Sequence, residues 1–418
     1  MFTVKNLIRL ILFIAFALPA LGYVPKAWQH LTVLLPALSP LLSIGGAIAA
    51  RVLRITILLA LPLLILPLFK GRLFCWRLCP MGFAAEMASR VNKRNAGLIR
   101  KVPFIGKALA PVILGSAAFG WPLLIWTDPL CIFNGFFTAW REPLTWLSAA
   151  TASGFIFILL ASLIIPNVWC HRLCPLGGLE EWLTQLGKAL LKCAAKQPEA
   201  TTQSALSIET RRRAFLGFTI GGVVGLTWKR HKSADARASA VIRPPGAAAA
   251  INALCARCGN CMKACPYGLI TPDLGASGID GLLTPAIKFR SSDPDQERFC
   301  FQDCVACNHV CPTSALRPQT VEQKQQTAIG LAVVDKKKCI AWAKQEYCMV
   351  CSEYCPYHAV HEEEIDGVMC PIVEDDKCRG CGACESQCPA LPLGIVIKGR
   401  NPQPYLTDRS PQLDAEEA

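Results

Sequence analysis

Four cysteine repeats in the second half of the chain constrain its fold more than any other feature of the sequence. Sixteen of the 23 cysteines belong to these repeats, and each repeat ends in a Cys-Pro pair. The first and last have the spacing CxxCxxCxxxCP, whereas the first gap is three residues long in the second repeat and eight in the third. We call the repeats motifs A to D; their cysteines are Cys255, Cys258, Cys261 and Cys265 (A), Cys300, Cys304, Cys307 and Cys311 (B), Cys339, Cys348, Cys351 and Cys355 (C), and Cys378, Cys381, Cys384 and Cys388 (D).

The spacing of these motifs predicts 4Fe-4S clusters. Three thiolates on a tight loop can bind three corners of a cubane, while the fourth cysteine is turned away by the proline that follows it and binds the other cluster of a pair. Sixteen cysteines therefore predict four 4Fe-4S clusters in two modules. Structural zinc needs two CxxC pairs per ion and gives no reason for a third cysteine before CxxxCP, and a disulfide scaffold is the weaker interpretation.

The spacing leaves the pairing of the motifs open. A nested pairing (A with D, B with C) and a sequential pairing (A with B, C with D) both satisfy the exchange of fourth cysteines equally well.

Two shorter CxRxCP motifs lie in the first half of the chain, with the cysteines Cys75 and Cys79 in one and Cys170 and Cys174 in the other. Three interpretations are open for these four thiols: one further cluster, a redox-active thiol pair, or buried cysteines on turns that end helices. Cys131, Cys193 and Cys370 lie outside every motif, and we interpret them as packing residues.

The first half of the chain is unusually apolar. Hydrophobic residues make up 52% of the whole sequence and its mean hydropathy is +0.35, which predicts a membrane part. The predicted fold class is a membrane α-helical bundle of four helices plus a fifth anchor helix, followed by an α+β ferredoxin-like domain of two pseudo-symmetric two-cluster modules. The four predicted spans are Leu7–Leu21, which a cleaved signal would also explain, Ile55–Phe69, Ala108–Trp126 and Gly154–Val168.

The charge distribution predicts an orientation. The net charge of +13 is the sum of +15 in residues 1–228 and −2 in the rest of the chain. In residues 1–228 the basic residues lie at the ends of apolar segments and do not form the aromatic-rich basic face of a nucleic-acid-binding protein. Arg211–Arg213 precede Phe215-Leu216 and a short apolar stretch, which is typical of a twin-arginine export signal, although a plain fifth helix is the alternative. The predicted location is the bacterial inner (cytoplasmic) membrane, multi-pass, with the ferredoxin domain on the periplasmic side.

The chain resembles two known families. The region 1–193, with its paired CxxxCP motifs, resembles NapH-type membrane polyferredoxins. The region 211–400 resembles NapG/MauM-type ferredoxins in its twin arginines, in Arg243-Pro244-Pro245-Gly246-Ala247 and in the sequences that open motifs C and D. The chain therefore looks like a fusion of the two, although NapH-type proteins commonly carry further ferredoxin motifs that are absent between Cys174 and Arg211. The resemblance implies quinol oxidation, delivery of electrons to periplasmic redox enzymes, and nested pairing of the motifs.

These observations predict a quinol-oxidising electron conduit, a quinol dehydrogenase component with no identifiable catalytic residue. Its expected partners are the membrane quinol pool, a periplasmic reductase or cytochrome c, and a larger membrane complex. The alternatives are an assembly or redox-sensing accessory protein, and a conduit from a periplasmic dehydrogenase to quinone. A GxGxxG nucleotide site and a CxxCH haem site are absent from the sequence. The predicted domains are a helical domain (1–193), a linker with the anchor helix (194–246), the four-cluster ferredoxin domain (247–400) and a tail (401–418).

Overall fold

The computed structural model of the chain consists of two compact units. It describes residues 4–21, 31–53, 57–92, 96–139, 146–194, 208–232, 240–290 and 298–404, so parts of the predicted linker and tail (195–207, 233–239 and 405–418) lie outside the described residues. The first unit comprises Met1–Ala234, Asn252–Asn260 and Pro312–Ala315. The second comprises Asp235–Ile251, Cys261–Cys311 and Leu316–Ala418. Motif A is therefore divided, with Cys255 and Cys258 in the first unit.

The first unit is helical in the part of it that the structure describes. Its helix α7 packs against α3, α10 and α11, where the helices are α1 (Val4–Leu21), α2 (Leu31–Ala37), α3 (Pro40–Ala50), α4 (Ile57–Lys70), α5 (Leu73–Arg77), α6 (Pro80–Val91), α7 (Ile105–Ala118), α8 (Pro129–Ala139), α9 (Trp146–Ile164), α10 (Pro175–Ala194) and α11 (Ile208–Lys232). A π-helical turn at Trp169–Leu173 leads into α10.

The prediction of a membrane bundle is wrong. Among the residues that the structure describes, no helix is both long enough and apolar enough to cross a bilayer. Two predicted spans overlap helices of 14 residues: Ile55–Phe69 overlaps α4, which has Pro62 and Pro67 inside it, and Ala108–Trp126 overlaps α7, which has Pro111 inside it. Fourteen residues rise roughly 21 Å, whereas the hydrocarbon core of a bilayer is about 30 Å thick.

The other predicted spans differ from the observed helices as well. Helix α9 ends at Ile164, before the predicted span does, and α1 carries Lys5 and Arg9 within its first turns. Helix α11 is continuous through the arginine triplet and ends in a second basic stretch, so its short apolar segment has charged residues at both ends. The predicted multi-pass placement in an inner membrane is corrected by the same finding.

An aromatic core holds the middle of the first unit together. The rings of Phe133 and Phe137 on α8 lie 4.7 Å apart, and Phe136 stacks on Phe155 of α9 at 4.3 Å. The same apolar cluster includes Cys79 and Cys174, both nearly inaccessible to solvent. The second cysteine of each CxxxCP motif is therefore fixed by the core of this unit.

The rest of the chain forms short elements between the cysteine motifs. The helices, in chain order, are α12 (Ile251–Leu254), α13 (Asn260–Ala264), α14 (Ala306–His309), α15 (Val321–Gln325), α16 (Ile340–Lys344), α17 (Val350–Glu353) and α18 (Ala383–Ser386). Three antiparallel pairs join the strands β1 (Ile270–Pro272) to β2 (Pro285–Ile287), β3 (Gly330–Val334) to β6 (Ile395–Gly399), and β4 (Val360–Ile365) to β5 (Val368–Val373).

Two of the strand pairs organise motifs C and D. Strand β3 precedes motif C and β6 follows motif D, so their pairing closes the segment that carries both motifs. Strands β4 and β5 form a hairpin whose turn residues, Asp366 and Gly367, have φ values of 54° and 81°. A two-residue hairpin turn of this kind requires positive φ at both positions, and Asp-Gly is a favoured sequence for it.

A buried arginine anchors the start of the second unit. Arg243 is fully buried, and its guanidinium lies 3.5 Å from the carboxylate of Asp273, whose side chain is equally inaccessible. The guanidinium also donates to the Ser277 hydroxyl at 2.8 Å and to the Pro285 carbonyl at 2.8 Å. These bonds compensate the loss of hydration of both charges.

We expect Arg243→Leu to lower the free energy of unfolding by about 3–5 kcal/mol, because it leaves the Asp273 carboxylate buried without its cation. Denaturant unfolding of the full chain under anaerobic conditions measures the change. Lys338→Leu is the matched control, since it removes the cation of the surface pair between Lys338 and Asp335, and we expect little change there. Equal effects of the two substitutions would contradict the assigned role of Arg243.

Candidate iron–sulfur centres

The first three cysteines of motif C and the last cysteine of motif D line one cavity. Its wall contains Cys339, Cys348, Cys351 and Cys388, closed by apolar residues that include Val334 of β3 and Ile395 of β6. Burial raises the pKa of Cys351 to about 12, and the neighbouring thiolates of Cys339, Cys348 and Cys388 act in the same direction. We call this group of four thiols centre C.

The complementary set lines a second cavity. Cys378, Cys381 and Cys384 of motif D share it with Cys355, the last cysteine of motif C. Burial raises the pKa of Cys381 to about 12, and Cys355 is among the thiolates that raise it further. We call this group centre D. Motifs C and D thus exchange their fourth cysteines, which is the sequential arrangement and not the nested one that the resemblance implied.

The fourth cysteine of motif A, Cys265, lies near the first three cysteines of motif B. Burial raises the pKa of Cys307, and the thiolates of Cys300, Cys304 and Cys265 raise it further, in that order. Burial also raises the pKa of Cys300, although the ammonium group of Lys324 partly offsets the shift. The four thiols of Cys300, Cys304, Cys307 and Cys265 form the group that we call centre B.

The chemistry of these centres fits an iron–sulfur cluster. Buried thiols crowded together resist losing their protons, so a cationic core must compensate the thiolates if they are to bind as ligands. Backbone N–H groups already point at the sulfurs, from Ala332 to Cys378 at 3.4 Å and from Ala359 to Cys355 at 3.3 Å. Such N–H to sulfur bonds are among the features that tune cluster potentials.

Two further findings concern the residues that the structure describes. None of the described cysteines forms a disulfide. Within the described ranges, no three or more His, Cys, Asp or Glu side chains are grouped as ligands of a single metal ion.

The second cysteine of each CxxxCP motif precedes a helix that starts in the same way in both. Pro80 and Pro175 begin α6 and α10, and the preceding sulfur accepts the backbone N–H of the third helical residue. The bond from Gly82 N–H to Cys79 measures 3.4 Å, and that from Gly177 N–H to Cys174 measures 3.3 Å. Proline at the first helical position has no N–H to leave unsatisfied, so the motif starts a helix and presents its cysteine at the helix end.

The four CxxxCP thiols lie close enough to shift one another's pKa. Burial raises the pKa of Cys79 and of Cys174, and Cys170 is the next cause for both. Burial likewise raises the pKa of Cys75, and Cys174 is among the thiolates that raise it further. The structure therefore brings both motifs to one place, which we call the CxxxCP centre.

A cation and a carboxyl group that the sequence did not single out adjoin the CxxxCP centre. The guanidinium of Arg72 donates to the Cys170 carbonyl at 2.7 Å. Glu180 is fully buried beside Cys75, and burial raises its pKa to about 7. Cys75 and Cys170 also line a basic pocket of about 640 Å³, together with Arg9, Lys70, Arg72, Arg77 and His171. Nothing in the spacing of Arg72 or Glu180 could have identified them.

Two cysteines outside the motifs pack against motif cysteines. Cys131 on α8 lies beside Cys258 in the apolar core of the first unit. Cys370 on β5 packs with Cys339 and is fully buried. Both positions agree with the interpretation as packing residues. The side chain of Cys193 lies outside the part of the chain that the structure describes.

Comparison with known proteins shows that the chain is similar to ferredoxin-type proteins. A family model described as a 4Fe-4S binding domain matches residues 55–99 and 147–193, the two segments that carry the CxxxCP motifs. No solved structure matches the chain.

Curated relatives add three named proteins. The chain is 34% identical to the methylamine utilization ferredoxin-type protein MauM of Paracoccus denitrificans, over 44% of this chain and 84% of that protein. It is 30% identical to the ferredoxin-type protein NapG of Haemophilus influenzae, over 50% of this chain and 77% of the relative. It is 31% identical to the ferredoxin-type protein NapF of Escherichia coli, over 37% and 83% of the two chains.

Proposed function

Because the chain belongs to the family of ferredoxin-type iron–sulfur proteins that includes MauM and NapG, we propose that it conducts electrons through four 4Fe-4S clusters bound by sixteen cysteines. The family confirms the prediction of an iron–sulfur electron-transfer protein. The observation that supports the ligands of three clusters is the grouping of thiols at centres B, C and D, three from one motif and one from another. The fourth cluster rests on the sequence: if motifs A and B exchange their fourth cysteines as motifs C and D do, Cys311 completes the set of Cys255, Cys258 and Cys261.

The protein residues hold and insulate these clusters. Each bound cluster would supply a one-electron redox couple. The cysteines fix its position, while apolar neighbours such as Val334 and Ile395 exclude water from centre C. Backbone N–H groups such as those of Ala332 and Ala359 stabilise negative charge on the ligand sulfurs. Burial lowers the reduction potential of a cluster, whereas N–H donors to its sulfurs raise it. The balance of the two therefore sets the potential of each centre separately.

We extend the proposal to a fifth cluster at the CxxxCP centre. Four thiols, two of them buried and two half-buried, are neighbours there, and the segments that carry them match a 4Fe-4S binding domain. The guanidinium of Arg72, held by the Cys170 carbonyl, would compensate part of the negative charge of four thiolates. The NapH-like character of residues 1–193 beyond this centre stays a prediction of the resemblance.

The double variant Cys75→Ser, Cys170→Ser is expected to lose about four iron atoms per chain, because a cubane without two of its ligands is released. Iron and acid-labile sulfide assays on the anaerobically purified full chain measure the loss. Ile158→Val is the control, a conservative change at a fully buried residue in the apolar core of the same unit, and we expect unchanged iron. Unchanged iron in the double variant would favour a redox-active thiol pair.

We propose a quinol as the electron donor and a redox enzyme or cytochrome c as the acceptor, on the resemblance alone. When the protein is mixed anaerobically with a reduced menaquinol analogue, the clusters should be reduced rapidly, and their visible absorption should decrease. Reduction by dithionite but not by the quinol would contradict the donor and leave the clusters in place. Cluster midpoint potentials relative to that of the quinone decide the direction of flow.

A further inference from the structure

Centres B and D meet inside the second unit. The backbone N–H of Cys300, the first cysteine of motif B, donates to the carbonyl of Cys381 in motif D at 2.8 Å. The thiolate of Cys300 is also among the neighbours that raise the pKa of Cys381. Both observations show that a cysteine of motif B lies beside centre D.

Tyr357 lies at the same junction. It follows the last cysteine of motif C, lines the cavity of centre D, and has the guanidinium of Arg379 5.8 Å from the centre of its ring. Burial raises the pKa of its hydroxyl, and Cys381 and then Cys300 are the next causes. The ring thus stands within reach of one cysteine from each centre.

The other Cys-Pro-Tyr sequence of the chain, at residues 265–267, has different surroundings. Tyr267 follows the last cysteine of motif A, and its ring stacks on Phe301 of motif B at 4.1 Å. The thiolates near it are Cys304, Cys265 and Cys300, all of centre B. Tyr267 therefore packs within one module, whereas Tyr357 stands where two modules meet.

We infer that electrons cross between the two cluster modules at the contact of Cys300 with Cys381, so that centre D is the obligatory link between centre C and centre B. The inference rests on the proposed function, because it needs clusters at these centres. Centre C then lies at one end of the series of clusters, because centre D, the other centre of the same module, is the one that contacts centre B. Tyr357 is a positioning residue that keeps water out of the junction.

The order of the centres can be read from magnetic coupling in the fully reduced full chain, with Cys75→Ser and Cys170→Ser present in every variant so that the CxxxCP centre contributes no signal. Reduced clusters that lie close together split one another's EPR signals. We expect Cys384→Ala, which removes centre D, to leave one isolated cluster with an unsplit signal. Cys351→Ala, which removes centre C, should leave no isolated cluster. An isolated cluster in Cys351→Ala and none in Cys384→Ala would overturn the inference.

A second set of variants keeps every ligand in place. Tyr357→Ala should admit water to the junction and raise the midpoint potential of centre D, because water stabilises the more negative reduced state. Tyr357→Phe should restore the wild-type potential, and Tyr267→Ala should leave centre D unchanged. An unchanged potential in Tyr357→Ala would contradict the role of the ring.

Iron content separates failure of the inference from failure of the proposed function. A wild-type chain that binds no iron would refute the function itself. A wild-type chain that binds the clusters of motifs A to D, whose variants show the opposite coupling pattern, would refute the order of the centres alone.

Discussion

The double variant Cys351→Ala, Cys388→Ala is expected to lose one cluster, about four iron atoms per chain, although it removes cysteines from two different motifs. Both residues line the cavity of centre C, so the second substitution removes a ligand from a cluster that the first has already destroyed. By contrast, Cys384→Ala, Cys388→Ala changes two cysteines of one motif and should lose two clusters, about eight iron atoms. Iron and sulfide assays on the two full-length variants measure the difference.

Nested pairing makes the opposite prediction for the first variant. There Cys388 would serve a cluster with motif A, so replacing it together with Cys351 would remove two clusters. Each single variant should lose about four iron atoms and provides the reference for both double variants. A loss of about eight iron atoms in Cys351→Ala, Cys388→Ala would therefore contradict the exchange of cysteines between motifs C and D.

Gly382→Ala is expected to destabilise the second unit by about 2–6 kcal/mol and to abolish centre D. Gly382 lies between Cys381 and Cys384 with φ at +85°, and an added Cβ would lie 2.2 Å from the ring of Phe289. That ring is almost completely buried and cannot move aside cheaply. Thermal unfolding and iron content of the purified variant measure the two effects.

Gly367→Ala is the matched control for this substitution. Gly367 has a similar φ of +81°, but no atom lies within 4 Å of an added Cβ in the β4–β5 turn. The expected cost is the backbone strain alone, about 1–2 kcal/mol, and the iron content should not change. Equal destabilisation by the two substitutions would show that Phe289 does not confine Gly382.

The local part of the candidate site could be predicted from the sequence. A motif such as Cys378-x-x-Cys381-x-x-Cys384 fixes three thiols by the geometry of one loop, so spacing alone identifies them. The helix starts at Pro80 and Pro175 follow from the same kind of local rule. The return of β4 into β5 is likewise predictable from Asp366-Gly367.

The long-range part of the site could not be predicted in this way. Which centre receives Cys388 depends on the pairing of β3 with β6, and no motif spacing contains that information. Packing of the helices brings Glu180 next to Cys75 and Arg72 to the Cys170 carbonyl, so neither belongs to a recognisable pattern. Resemblance to a family suggested nested pairing, and the grouping of the thiols differs from it.

The membrane prediction failed for a physical reason. Apolar stretches of 15 to 19 residues predicted the four spans, but α4 and α7 are only 14 residues long, and the apolar segment of α11 has basic residues at both ends. Apolar side chains of the predicted span in α9, such as Phe155, instead pack in an aromatic core with Phe133 of α8. Hydropathy alone does not distinguish the two uses of the same residues.

Iron and acid-labile sulfide counted on the anaerobically purified full chain test the central claim most directly. The account predicts about 20 iron atoms per chain, of which about 16 remain in the Cys75→Ser, Cys170→Ser variant. Those 16 would belong to the four clusters of motifs A to D. A colourless, iron-free protein, or one whose motif cysteines bind zinc, would contradict it.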